Sequence, residues 1–356
     1  MGKLHVGVLY GGRSVEHDIS LLSAKNILQN IDANKFEIYL LAIDKDGKWF
    51  LCQDINLPIN SGEPLSVMLD AKDPYFHTKE NQIKIDVIFP ILHGTDGEDG
   101  SVQGLIQTVN IGYVGSGVLG SAASMDKLLA KRVLQSAGLP VADFEAFQHH
   151  ERGSINYKSL VDHFGLPFII KPANLGSSVG VSKINGEEGF EEALDYAFKY
   201  DRSILIEEFI DGREVECAIL GNENPLASVA GEVVLSSNYD FYSFTAKYED
   251  PESAKITIPA DMPDNVHEEI KGLCLKAYSL LNCHDLARVD LFVKADGSVY
   301  VNEINTLPGF TNISMYPSLI QHEGISYQEL ITQLIEMAMQ RFLDNSRITT
   351  DYESQL

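Results

Sequence analysis

The stretch that most restricts how this chain can fold lies near its end, where Leu291-Phe292-Val293 and Val299-Tyr300-Val301 flank Asp296-Gly297. Asp-Gly between two such runs is a strong hairpin signal, because both residues accept the backbone of a two-residue type I′ turn. That loop sets a register in which Asp290 faces Glu303 and Arg288 faces Asn305. Residues two apart share a face of a strand, so these four side chains point the same way, with directly opposed Cβ atoms ~4.5–5.5 Å apart. Val289, Leu291, Val299, Val301 and Ile304 make the other face a buried one.

Two opposed carboxylates repel each other unless a cation lies between them. Mg²⁺ prefers oxygen ligands and usually takes one or two carboxylates, with phosphates completing its shell. Asp290, Glu303 and Asn305 are therefore candidate metal ligands. Arg288 beside them can neutralise developing negative charge. The competing reading is a surface hairpin with solvated charges; the apolar opposite face and the following Thr306-Leu307-Pro308-Gly309 favour the metal.

The rest of the chain bounds what surrounds this hairpin. Its 356 residues suffice for two or three domains. A formal charge of -24 argues against a nucleic-acid partner, since a polyanion would be repelled. No apolar run reaches the ~18 residues of a membrane helix, and the first ten residues read as a buried strand rather than a signal peptide. Cys52, Cys217, Cys274 and Cys283 form no C-x-x-C pair and read as free thiols of a reducing compartment, so a cytoplasmic enzyme is expected.

Three sections follow from the patterning: 1–123, 124–220 and 221–356. The first holds strand-like runs at 6–9, 38–42 and 87–92 and a helical stretch after Gly11-Gly12, an alternation that predicts α/β architecture with a doubly wound parallel sheet. The second opens with a helix that Ser124 can cap and that Gly138 and Pro140 end. Short strands at 167–171, 179–184, 204–209 and 214–220 then make it α+β. The third contains a long polar stretch at 236–258, a length that is usually functional or disordered. Helices near 266–281 and 327–342 flank the hairpin.

Within the second section, Lys171 ends an apolar strand and a small-residue loop, Asn174-Leu175-Gly176-Ser177-Ser178-Val179-Gly180, follows. Such a loop lets backbone N–H groups approach phosphate, and Lys171 adds a cation. A flexible surface turn explains it equally well, and no Walker A pattern is present. Glu207-Glu208-Phe209-Ile210 after a strand is a weak candidate for an adenine hinge, with Glu214 in reach of ribose; paired glutamates are more often solvated. Gly115-Ser116-Gly117-Val118-Leu119-Gly120 matches the dinucleotide fingerprint. A true one needs a strand–turn–helix and an acidic residue about 20 residues on, and Gln135 stands there instead.

Taken together, Gly11-Gly12-Arg13-Ser14-Val15-Glu16-His17, His93-Gly94-Thr95-Asp96-Gly97-Glu98-Asp99-Gly100, Met125-Asp126-Lys127, Gly176-Ser177-Ser178-Val179-Gly180, Ala287-Arg288-Val289-Asp290 and Asn302-Glu303-Ile304-Asn305-Thr306-Leu307-Pro308-Gly309 resemble, in order and over nearly the whole chain, the D-alanine–D-alanine ligase family of the ATP-grasp superfamily. The resemblance implies an ATP-grasp fold and a reaction in which ATP phosphorylates one D-alanine carboxylate and the amine of a second attacks the acyl phosphate. It implies that Lys127 and Lys171 hold ATP phosphates, that Glu207, Phe209, Ile210 and Glu214 hold the nucleoside, and that Lys247 approaches the γ-phosphate. Asp290, Glu303 and Asn305 would bind two Mg²⁺, with Mn²⁺ as an alternative. Glu16 would take the first substrate's ammonium with His93 nearby; alone, Glu16 reads as an exposed helix-start carboxylate and His93 as a structural histidine. Arg288 and the Gly309 backbone would stabilise the oxyanion, Ser314 and Met315 would line the second D-alanine site, and Ser177 and Tyr248 would join Glu16 in closing it. A homodimer is implied too. The lid segment ends Ala246-Lys247-Tyr248 as the family does, but Phe244-Thr245 stand where Tyr-Glu is common. Tyr248 favours D-alanine over D-lactate or D-serine as second substrate. A dinucleotide-dependent oxidoreductase and a non-catalytic nucleotide sensor remain the readings from other classes.

Overall fold

The computed structural model describes residues 2–235 and 254–349. Leu4–Gly11 is buried on both faces, as a parallel strand between helical layers must be. It lies parallel between Phe36–Ile43 and Val87–Pro90, and Gly112–Tyr113 adds a fourth parallel strand at one edge. Helix His17–Asn30 covers one face through Ala24 and Ile27, and helix Ser101–Thr108 covers the other through Val102 and Ile106. The opposite edge continues antiparallel through Trp49–Cys52 and Glu63–Pro64, strands too short for their periodicity to be read.

The turn from the first strand into the first helix fixes where the chemistry sits. Gly11 has φ +92°, and a Cβ there would lie 2.1 Å from the Ile43 carbonyl oxygen, so only glycine fits. The Ser20 hydroxyl accepts the Gly11 N–H at 2.7 Å. Glu16 is thereby held at the helix N-cap, outside the carboxyl ends of the parallel strands, where open α/β sheets bind ligands.

The remaining strands form two antiparallel sheets. One has the order Phe144–Gln148, Ser203–Glu208, Phe168–Pro172, Ser182–Ile184, backed by helices Tyr157–Phe164 and Phe190–Phe198. The other has the order Ala254–Thr257, Leu226–Leu235, Gly212–Leu220, Leu286–Lys294, Val299–Asn305, packed on helix Asp264–Leu280. Sheet membership thus changes between Glu208 and Gly212, ahead of residue 220. Apolar alternation identifies a strand but not the sheet it joins.

The hairpin differs from its predicted form in two ways that cancel. Gly297 N–H donates to the Lys294 carbonyl and Lys294 N–H to the Ser298 carbonyl, both at 2.9 Å, and Gly297 takes φ +87°. The loop is therefore the three residues Ala295-Asp296-Gly297, not two. Next to the loop, Val293 pairs with Val299 and Leu291 with Val301; a bulge at Asn302 then shifts the ladder, so Asp290 pairs with Glu303 and Arg288 with Asn305 after all.

Two helix signals are also corrected. Ser124 lies inside helix Val118–Met125, and the helix Lys127–Ser136 is capped by Asp126, whose side chain accepts the Leu129 N–H at 2.8 Å. The glycine-rich 115–120 segment does join an edge strand to a helix. Its glycines nevertheless serve protein packing: a Cβ on Gly120 would lie 2.4 Å from the Asn282 carbonyl oxygen, and Gly115 N–H donates to buried Asp285 at 2.8 Å. Protein fills the place a pyrophosphate would need. Asp285 also pairs with Arg341 at 2.8 Å, which clasps the closing helix Tyr327–Asn345 to this edge. Among the described residues, no helix is long and apolar enough to cross a membrane.

Candidate active site

The two antiparallel sheets enclose a cavity of about 360 Å³. Lys127, Lys171, Glu207, Phe209, Ile210 and Glu214, read from sequence as nucleotide contacts, all line it, as do Asp290, Asn302 and Glu303. Glu207 is buried, with Lys171 in contact with one carboxylate oxygen and Lys131 3.0 Å from the other. Burial pushes the Glu207 carboxyl up, but the two ammonium groups outweigh it and hold it below the usual carboxylate range. Burial likewise pulls Lys171 down, against Glu207 and with the help of Lys131 and Lys127. Lys183 Nζ lies 3.8 Å from the Phe209 ring centroid. Lys131 was missed in the sequence; its signal was a lysine set between Ala130 and Leu134 in an apolar helix stripe, where a charge is seldom found without a partner.

The loop after Lys171 carries left-handed backbone at Ser177 (φ +54°), Ser178 (φ +58°) and Gly180 (φ +76°). For the two serines this conformation costs about 1–3 kcal/mol each and is held only where surrounding structure imposes it. It delivers the Ser177 hydroxyl to Glu16, to which it donates a short hydrogen bond.

That contact opens onto a second cavity of about 500 Å³, lined by Glu16, His93, Ser177, Arg288, Gly309, Ser314 and Met315 among others. Glu16 is buried, and its Oε2 has no hydrogen-bond partner among the described residues. A Cβ at Gly94 would lie 2.8 Å from that oxygen and one at Gly176 3.4 Å from it, so glycines keep it approachable. A buried, approachable carboxylate oxygen calls for a cationic ligand. His93 is buried too; desolvation lowers its proton affinity below that of an ordinary histidine and Arg288 adds to this, while Glu16 and the Leu307 backbone oppose it. The floor is pinned by Phe310, fully buried, whose carbonyl accepts from Asn26 (2.8 Å) and Tyr327 (2.6 Å). This anchors Gly309 and Ser314 against the first helix. The Ser314 hydroxyl accepts the Thr311 N–H at 2.9 Å.

Gly176, Ser177, Glu216, Val233 and Glu303 line both cavities. The wall is a row of carboxylates across three strands, because Glu216 pairs with Asp290 and Asp290 with Glu303. Arg288 grips Asp290 with Nε and Nη2, each at 2.7 Å, and its Nε lies 2.8 Å from Glu216. Asn305 donates to Asp290 at 3.0 Å, and Lys127 lies 3.0 Å from Glu303. Lys171 also donates to Asn302 at 3.3 Å, so the bulged residue faces the cavity between the two antiparallel sheets. Glu98, in the second cavity, is pushed up to about 8, by burial first and then by Glu16 and Glu303. Neither Glu98 nor Glu216 was singled out in the sequence, though Glu98 sits within the quoted His93-to-Gly100 run.

This charge balance bears on the implied metal. Among the described residues, no three His, Cys, Asp or Glu side chains form a metal cage. Asp290, Glu303 and the Asn305 amide are nonetheless a hard-oxygen set on one sheet face, the sparse kind that Mg²⁺ uses when phosphates supply the other ligands. With Glu216 beside them in the same row of carboxylates, these residues fit such an ion. Lys247 and Tyr248 lie outside the described residues.

Comparison with known proteins agrees with this geometry. The family description "D-ala D-ala ligase N-terminus" matches residues 5–116, and "D-ala D-ala ligase C-terminus" matches residues 133–336. The D-alanine–D-alanine ligase A of Chromobacterium violaceum is 48% identical, over 96% of each chain. The structure of the D-alanine–D-alanine ligase of Coxiella burnetii superposes with a TM-score of 0.86 at 37% identity, covering 97% of this chain and 96% of that one. The D-Ala:D-Ser ligase of Enterococcus faecalis superposes equally well, 0.86 at 32% identity, covering 95% and 100%. Two antiparallel sheets closed on one cavity beside an α/β domain are the ATP-grasp arrangement. By sequence profile, identity and architecture, the chain belongs to the D-alanine–D-alanine ligase family.

Proposed function

We propose that the two cavities are the nucleotide and amino-acid halves of one site that joins two D-alanines to D-alanyl-D-alanine at the expense of ATP, for peptidoglycan synthesis. The observation that carries this is their shared wall. Ser177, Glu216 and Glu303 face both spaces, so a phosphoryl group held on one side meets a carboxylate held on the other.

Phosphoryl transfer needs positioning and charge neutralisation more than covalent help from protein. Lys127 and Lys171 supply cations on the nucleotide side, and Glu207 with Phe209, Ile210 and Glu214 takes the nucleoside. Asp290, Glu303 and Asn305 would hold Mg²⁺ or Mn²⁺, which would supply electrostatic neutralisation of the phosphates. Glu16 binds the first substrate's ammonium through the oxygen that Gly94 and Gly176 leave open. His93, kept neutral by burial, stands beside it as a polar wall rather than a competing cation. Arg288 and the Gly309 N–H face the carbon where an oxyanion forms. Ser314, with Met315, receives the carboxylate of the second D-alanine. The lid residues Lys247 and Tyr248 would exclude water from the acyl phosphate. The enzyme is read as a cytoplasmic homodimer, which light scattering of the purified protein tests.

The deciding experiment is phosphate release from ATP with Mg²⁺. Release that requires D-alanine and ignores L-alanine is expected; release independent of D-alanine refutes the reading. D-serine and D-lactate offered in competition with D-alanine separate this activity from that of the D-Ala:D-Ser relative.

A further inference from the structure

Asp290 is asked to serve two partners. Both of its carboxylate oxygens are engaged, Oδ1 by Arg288 Nε and Oδ2 by Arg288 Nη2 and the Asn305 amide. A cation that takes Asp290 as a ligand draws on the same two oxygens and weakens that grip. Arg288 would then be a buried guanidinium whose principal acceptor is shared, and a buried charge with a weakened partner is costly.

Glu216 stands on the other side of the same guanidinium. It lies on the neighbouring strand Gly212–Leu220, directly across from Asp290 and away from Glu303. It is 8% exposed, and its Oε2 is 2.8 Å from Arg288 Nε. Opposite it in the row, Glu303 is neutralised by Lys127 at 3.0 Å. The three carboxylates therefore divide their work: Glu303 and Asp290 are the proposed metal ligands, and Glu216, which also lines both cavities, lies against Arg288.

We propose that Glu216 is a positioning residue that retains Arg288 in the amino-acid cavity when Asp290 is given over to the nucleotide's metal. Resting on the proposed metal role of Asp290, this makes metal binding and oxyanion stabilisation compatible on one strand. Without Glu216, Asp290 is the acidic partner left in direct contact with Arg288 among the described residues, and the arginine competes with the metal for it. With Glu216, Arg288 has a carboxylate that the metal does not claim.

The test reads binding rather than turnover: the affinity of the full-length protein for Mn²⁺–ADP, by calorimetry or by electron paramagnetic resonance of the Mn²⁺. Glu216→Gln, which keeps the shape and removes the charge, should weaken Mn²⁺–ADP binding about tenfold, the scale of one partly screened charge contact. Metal-free ADP should bind as in the parent. Glu216→Ala should weaken it further. In an Arg288→Gln background the Glu216→Gln change should have no effect, because nothing is left to hold; a residue needed only for folding would not lose its effect in this way. Asp290→Asn separates this inference from the metal reading. If Asp290→Asn leaves Mn²⁺–ADP affinity intact, the metal reading fails. If Asp290→Asn abolishes it while Glu216→Gln stays at the parent value, or weakens it equally with and without Arg288, the role of Glu216 is overturned.

Discussion

Lys131 offers the most quantitative test of how the nucleotide side is held together. Its side chain is 1% exposed, and its ammonium lies 3.0 Å from Glu207, itself 5% exposed. At an effective dielectric constant of ~20 the attraction at that distance is about 5 kcal/mol. Lys131→Met keeps the hydrocarbon stem and leaves little cavity, so it isolates the charge. Removing one partner of a buried pair costs about 3–5 kcal/mol. Here Lys171 still contacts the other oxygen of Glu207, which places the loss near the lower end, about 3 kcal/mol. For a cooperative unit of roughly 150–250 residues that is a fall in melting temperature of roughly 6–12 °C. Because Lys131 stands behind Glu207 rather than in the cavity, KM for ATP should rise as Glu207 shifts, with kcat less affected. Differential scanning calorimetry of the nucleotide-free protein and ATP-dependent initial rates read the two effects. The double variant Lys131→Met with Glu207→Gln should recover most of the stability but not the ATP affinity. If Lys131→Met melts within 1 °C of the parent, the buried triad is not what holds this hinge.

Other perturbations follow from the same geometry. Glu303→Ala should lower kcat at least a hundredfold with a small change in melting, since Lys127 keeps its 2.8 Å hydrogen bond to the Leu175 carbonyl; comparable losses of stability and activity would count against a catalytic role. A Cβ at Gly309 would lie 3.0 Å from the Ser314 hydroxyl, so Gly309→Ala should raise KM for the second D-alanine about tenfold while sparing the first, which two-site kinetic analysis resolves. Glu98 holds its proton more tightly folded than unfolded, with its value pushed up to about 8 from the usual 4.5. Its contribution is therefore complete below about pH 4.5 and is lost as pH rises through about 8, on the order of 5 kcal/mol in the metal-free protein. Glu98→Gln should flatten that part of the stability–pH curve measured by urea unfolding, and an unchanged slope would remove Glu98 from the charge balance of the cavity.

What the sequence made legible was the local grammar of strands, not their assembly. The parallel core was readable because buried parallel strands are continuous apolar runs, as at Leu4–Gly11 and Val87–Pro90. Leu226–Leu235 escaped notice because Gly231 and Glu232 interrupt its pattern, and Phe144–Gln148 because none of its residues is fully buried. The site residues clustered because motifs carried them. Glu216 and Lys131 were not legible, since each matters only through a neighbour far away in the chain; Asn302 lay within a quoted motif, but its place outside the ladder did not show. Lys247 and Tyr248, outside the described residues, rest on resemblance alone.

The hairpin shows why register arithmetic can succeed on a wrong premise. A two-residue loop would put Val293 opposite residue 300; the three-residue loop puts it opposite Val299. Uncorrected, that one-residue slip would have turned Glu303 and Asn305 to the apolar side and Ile304 into the cavity. Ile304 is 3% exposed in the core beneath the sheet, so burial of the alternating apolar residues forces the ladder back into phase, and the bulge at Asn302 is where it does so. The bulge has a second effect. It leaves Asn302 out of the ladder and facing the nucleotide cavity, where Lys171 donates to it. Deleting one loop residue, Ala295, should therefore not restore an ideal hairpin. With the core fixing Val301 and Ile304, the strain should pass into the turn, costing stability while the Asp290–Glu303 pairing and Mn²⁺–ADP binding persist. Loss of metal binding at unchanged stability would show instead that the loop, not the core, sets the register of the carboxylates.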